Sequence, residues 1–163
     1  YVVEDLMPRF GVASTLVDGR DPQNFAEAMR PNTKLVFIET PANPTLELVD
    51  IRAVSEIAHA VGAVVIVDNV FATPIFSRAV DQGADVVVYS TTKHIDGQGR
   101  VLGGAILGSH EYINEKVRLF ARHSGPTMSA FNAWVFLKGL ETLTLITSSS
   151  FLFRVKRENP HLR

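Results

Sequence analysis

Lys93 stands in the run Tyr89-Ser90-Thr91-Thr92-Lys93-His94, which begins directly after the apolar residues Val86-Val87-Val88. Most lysines are solvated surface charges. One at the mouth of a buried strand is different, because an amine kept from water titrates low and can condense with a carbonyl as a Schiff base. The hydroxyls beside it, with neighbouring backbone N–H groups, can hold a phosphate. Asp68 stands in the same relation to a second apolar run, Ala63-Val64-Val65-Ile66-Val67. A carboxylate there is partly buried and needs a cation or hydrogen-bond donors. A third run, Leu35-Val36-Phe37-Ile38, leads into Glu39-Thr40-Pro41-Ala42-Asn43-Pro44 and so offers Asn43. Taken singly, a polar turn accounts for Lys93 and a helix cap for Asp68; the combination is what points to chemistry.

These residues need elements to position them. The three runs have the length and apolar content of buried strands in a parallel sheet. Between them lie helical signals. Asp21-Pro22 caps a helix running to about Arg30, and Asp50 caps one in which Ile51, Val54, Ile57, Ala58 and Val61 share a face before Gly62 stops it. Further expectations are a strand over Val12 to Val17, a short helix from Pro74 to about Asp81, a strand over Gly104 to Leu107, and helices over about Glu111 to Arg122 and Ser129 to Leu145. Strands alternating with helices give an α/β fold, a mostly parallel sheet with helices on both faces. Ligands of such sheets bind beyond the carboxyl ends of the strands, where Asn43, Asp68, Ser90, Thr92 and Lys93 fall.

The chain has 163 residues, 46% of them hydrophobic and 20% charged, with a formal net charge of −1 and no cysteine. That composition suits one globular domain or a large part of one. It speaks against nucleic acid or an anionic membrane as partner and excludes disulfide and thiolate chemistry. No apolar run reaches the length of a membrane span and no signal peptide opens the chain, so the expected location is cytoplasmic. Gly97, Gly99, Gly103 and Gly104 read as tight turns, since the Gly-Lys-Ser/Thr signature of a nucleotide loop is missing. The histidines show no ligand spacing, so no metal is expected. Tyr1 is not an initiator and the periodicity breaks near the end, so the chain reads as a fragment. Its expected parts are a partial cofactor-binding domain over 1–145 and a divergent tail over 146–163.

A lysine, phosphate-binding hydroxyls and an acid are what pyridoxal phosphate asks of a protein, the acid facing the pyridine nitrogen so that the ring can accept electrons. The motifs Val65-Ile66-Val67-Asp68-Asn69 and Tyr89-Ser90-Thr91-Thr92-Lys93-His94, with Glu39 to Pro44, resemble the Cys/Met-metabolism family of pyridoxal-phosphate enzymes from about Tyr1 to Leu145. The resemblance implies the large domain of the fold type I enzymes. In it Lys93 forms the aldimine and shuttles protons, and Asp68 pairs with the pyridine nitrogen. Ser90 and Thr92 bind the phosphate, and Asn43 lies near the ring hydroxyl and the substrate carboxylate. It also implies a homo-oligomer, a dimer-based tetramer, acting on a small amino-acid ester and a sulfur donor.

Within the family, Asp68-Asn69-Val70-Phe71-Ala72-Thr73-Pro74 and Lys93-His94-Ile95-Asp96-Gly97-Gln98-Gly99-Arg100 are most similar to members that make homocysteine from O-succinylhomoserine and sulfide. Synthases and lyases of the family usually carry Gly-His-Ser where this chain has Gly97-Gln98-Gly99. Cystathionine γ-synthase, O-acetylhomoserine sulfhydrylase and methionine γ-lyase activities stay open as alternatives, as does a non-catalytic fragment. Other family parts, a phosphate-binding glycine turn, a ring-stacking aromatic and a carboxylate-binding arginine, are not found within the chain.

Overall fold

The apolar runs and the capped helical segments between them build a four-stranded sheet in the order β1-β2-β3-β4. The computed structural model describes residues 1–148. Most of the tail expected over 146–163 therefore lies outside the described residues. The Asp21 carboxylate accepts the Gln23 N–H at 2.9 Å and opens α1, Pro22–Ala28. Strand β1, Leu35–Glu39, follows. Asp50 accepts the Ala53 N–H at 3.0 Å and opens α2, Ile51–Ala60, which ends before Gly62 at φ +72°. Such a backbone angle is costly for any residue with a Cβ, so glycine stops this helix. Strand β2, Val64–Asp68, lies parallel to β1 in the register Glu39↔Asp68.

After β2 come the short α3, Thr73–Phe76, and a 3₁₀ turn, Ala79–Gln82. The single helix expected from Pro74 to Asp81 is thus two turns, parted where Ser77 takes extended backbone angles. Strand β3, Val86–Ser90, is parallel to β2, with Asp68 opposite Val88. A π-type turn, Thr91–Ile95, carries Lys93. Strand β4, Gly104–Gly108, then returns antiparallel to β3, because a loop rather than a crossover helix joins them. The helical run α4, His110–Tyr112, a π segment Ile113–Arg118 and α5, Leu119–Ser124, covers the segment expected over Glu111 to Arg122. Helix α6, Ala130–Leu140, follows, and residues 143–148 are again helical.

The strand expected over Val12 to Val17 does not form. Those residues have no ladder partner among the described residues, and Val12 and Leu16 are exposed. An apolar run becomes a strand only by pairing. Met7–Phe10 before it is a 3₁₀ turn, not an extended lead-in.

Strand alternation divides the sheet into two faces. Val36, Ile38, Val65, Val67 and Val87 point to one face, where Ile51, Val54 and Ala58 of α2 and Phe25 of α1 complete the core. Val54, Val65 and Val67 are wholly buried, each contributing about 1.5–3 kcal/mol relative to exposure. The other face carries Phe37, Ile66, Val86, Val88 and Ile106. Here a Cβ on Gly108 would lie 3.5 Å from Ile113 and 3.5 Å from Val86, so the run after β4 covers this end. Phe37 and Ile106 remain about half exposed.

Candidate active site

Three successive strand ends form the site because of the register. Glu39 and Asp68 are ladder partners, and Ser90 lies two residues beyond the partner of Asp68. With a period of two, all three side chains emerge on the same face. They open onto a cavity of about 450 Å³ lined by Glu39, Asn43, Asp68, Val70, Phe71, Ser90, Lys93 and His94. That volume is in the range of small-molecule and cofactor pockets.

Asp68 and the loop of Asn43 are held from behind. Asp68 accepts the Val70 N–H at 3.0 Å, leaving its second oxygen free among the described residues. The loop behind it is fixed by Asn69, which is fully buried; the two hydrogens of its side-chain nitrogen are shared among Ser77 O at 2.8 Å, the Tyr89 hydroxyl at 2.9 Å and Thr73 O at 3.3 Å. Asn43 sits in a loop closed by Ala42 N–H to Glu47 O at 2.9 Å and Leu46 N–H to Ala42 O at 2.7 Å, with Thr40 Oγ1 accepting the Val49 N–H at 3.0 Å. Neither Ser90 Oγ nor Lys93 Nζ has a hydrogen-bond or ion-pair partner among the described residues. Lys93 is exposed, so the shielding from water expected of it is not supplied by these residues.

Four of the five residues singled out from sequence, Asn43, Asp68, Ser90 and Lys93, line the cavity. The fifth, Thr92, does not. Its Oγ1 donates to Gly103 O at 3.2 Å and accepts the Gly103 N–H at 2.9 Å, tying together the two ends of the lysine loop. Two further ionisable groups in the lining were not singled out. Burial, then the Asp68 charge, raises the Glu39 carboxyl above its usual range, against a lowering hydrogen bond from the Asn43 backbone. Burial lowers His94, which favours the neutral imidazole. Glu39 was open to discovery, because it ends β1 as Asp68 ends β2. His94 carried no spacing signal, and only the turn after β3 brings it in.

The donor set fits a group with a carbonyl, a basic ring nitrogen and a phosphate. An amine without a partner, a carboxylate with an open oxygen and a free hydroxyl face one cavity of suitable size. Among the described residues no cluster of three or more His, Cys, Asp or Glu could hold a metal ion.

Comparison with known proteins agrees with this geometry. The family model described as Cys/Met metabolism PLP-dependent enzyme, PLP being pyridoxal 5'-phosphate, matches residues 1–150. The O-succinylhomoserine sulfhydrylase of Mycobacterium tuberculosis (strain ATCC 25618 / H37Rv) is 59% identical over 144 residues, 88% of this chain and 36% of that protein. The O-succinylhomoserine sulfhydrylase of Pseudomonas aeruginosa is 53% identical over 137 residues, 84% of this chain and 34% of that protein. Among solved structures, metB from Corynebacterium glutamicum superposes with a TM-score of 0.85 at 34% identity, over 88% of this chain and 37% of that one. The chain thus spans little more than a third of the relatives it matches.

Proposed function

The chain belongs to the Cys/Met metabolism family of PLP-dependent enzymes, and from that premise we propose that the whole protein makes homocysteine from O-succinylhomoserine and sulfide, a step of methionine biosynthesis. In this γ-replacement the γ-carbon–oxygen bond breaks, succinate leaves, and a γ-carbon–sulfur bond forms. The observation that carries the reading is the convergence of Asp68, Ser90 and Lys93 on one cavity. The choice of acyl group and sulfur donor is supported by the 59%-identical relative being an O-succinylhomoserine sulfhydrylase.

Bound pyridoxal phosphate supplies an electron sink for bonds broken at the substrate's α-carbon. Lys93 Nζ would hold the cofactor covalently and, once displaced by the substrate amine, take the α-proton. The Asp68 carboxylate would keep a proton on the pyridine nitrogen. Ser90 would donate to the phosphate, and Thr92 would join it by rotating its hydroxyl away from Gly103. Asn43 would lie beside the ring hydroxyl and the substrate carboxylate. A homo-oligomer is part of the proposal, supported by Phe131, Trp134 and Leu137, each more than half exposed on α6; apolar surface of this kind marks contact regions.

The test is borohydride reduction of the whole, cofactor-loaded protein, followed by peptide mapping and product analysis with sulfide against cysteine as donor. Label on the peptide containing Lys93, and homocysteine from sulfide, are the expected results. Label on Lys34 or Lys138 removes the core of the reading, and cystathionine as main product moves it to γ-synthase.

A further inference from the structure

The loop that carries Lys93 is tied at two places; the proposed chemistry would open the first and leaves the second unused. At its neck Thr92 bonds to the Gly103 backbone. At its crown Asp96, fully buried, faces Arg100. The Arg100 N–H donates to Asp96 Oδ2 at 2.5 Å, its Nε to Oδ1 at 2.8 Å, and its Nη2 to the Asp96 carbonyl at 3.0 Å. Gly97 and Gly99, at φ +69° and +68°, let the chain double back far enough for this. The crown is joined to the lysine itself: the Gly97 N–H donates to Lys93 O and the Asp96 N–H to Thr91 O, both at 2.8 Å.

We infer that the Asp96–Arg100 clasp is a positioning device for Lys93, fixing where the amine stands relative to Asp68. The inference rests on Lys93 being the cofactor lysine. Lys93 Nζ has no partner of its own among the described residues, so the backbone on either side must set its place. A charged, geometrically forked pair suits this better than a lone hydrogen bond, because it fixes direction as well as distance. Burial by itself would raise the Asp96 carboxyl, but the Arg100 hydrogen bonds and charge, with a hydrogen bond from the Val101 backbone, together outweigh it and hold the group below the usual range. The clasp is therefore closed at neutral pH.

The test uses the whole protein loaded with pyridoxal phosphate, as Arg100→Lys and as the double variant Asp96→Asn/Arg100→Met. The double variant leaves no buried charge without a partner and so keeps the fold accessible. Arg100→Lys keeps the charge and the backbone donor but loses the fork. Read out kcat and KM per bound cofactor, the pH midpoint of the cofactor's visible absorbance, melting temperature, and the borohydride label. Misplacement by about 1 Å can cost about 100-fold, so the double variant should lose roughly tenfold or more in kcat, with KM moving less than about threefold. The absorbance midpoint should move, and Arg100→Lys should fall between. If the melting temperature drops while kcat per bound cofactor and the midpoint stay put, the clasp is merely structural and the inference fails. A wild-type label away from Lys93 instead sinks the reading beneath it.

Discussion

Asp68 and Glu39 stand side by side at the mouth of the cavity, and their charges decide what the ring nitrogen of a bound cofactor would meet. Asp68 has one N–H donor and one open oxygen. Asp68→Asn keeps the shape but removes the charge, forfeiting a charge-assisted hydrogen bond of about 1.5–3 kcal/mol. Turnover of the cofactor-saturated whole protein should fall at least roughly tenfold; steady-state rates near wild type would remove Asp68 from its proposed role. Glu39 answers through pH. Its carboxyl is raised by burial and by Asp68, so the folded state binds that proton more tightly than the unfolded chain. Stability is therefore lost as pH rises from the ordinary glutamate value of 4.5 through the raised one. Glu39→Gln should flatten the fall in melting temperature across this window. An unchanged slope would mean that Asp68 and burial do not act on Glu39 as described.

At the scale of elements, α6 meets the lysine loop through a missing side chain. A Cβ on Gly139 would lie 2.0 Å from the Ile95 carbonyl oxygen. Alanine improves helix propensity by about 0.8–1.0 kcal/mol, but overpacking typically costs about 1–3 kcal/mol and here the clash is with backbone, so Gly139→Ala should lower the melting temperature. A rise would mean that α6 does not seat against the loop. The elements were unequally legible from sequence. Helix α2 and strands β1, β2 and β3 could be read because caps and apolar runs agree with their burial. The run from Val12 to Val17 misled, since pairing rather than composition makes a strand. The antiparallel return of β4 was not visible, because the direction of an apolar run is set by how its connection folds. In the cavity lining, Asn43, Asp68, Ser90 and Lys93 are legible from their position after strands. Glu39 shared that position and was passed over. The clasp of Asp96 with Arg100 could not be seen in a segment that reads as a glycine-rich turn.

For the whole molecule, the chain covers 36% of the length of its 59%-identical relative. Phe37, Ile106, Phe131 and Trp134 are left about half exposed or more. Both edge strands, β1 and β4, are open among the described residues, and unpaired edges invite association between chains. Residues 1–163 expressed alone should therefore be poorly soluble, bind pyridoxal phosphate weakly, and form no detectable homocysteine from O-succinylhomoserine and sulfide. Turnover comparable to that of an intact family member would show that 163 residues suffice.

The register Glu39↔Asp68 also governs how this site tolerates insertions and deletions. Asp68 reaches the cavity by parity: it follows Val64 and Ile66 of its own face at even offsets in sequence. A deletion of one residue within β2 inverts that parity and turns the carboxylate toward the helix-packed side, where Val65 and Val67 are wholly buried. Point substitutions can adjust Asp68 gradually, whereas a single-codon deletion cannot. Removing Ile66 from the whole protein should abolish cofactor binding in an absorbance titration, where Asp68→Asn only weakens it. Cofactor binding retained by the Ile66 deletion would show that the lengths of these strands are freer to drift than their pairing implies.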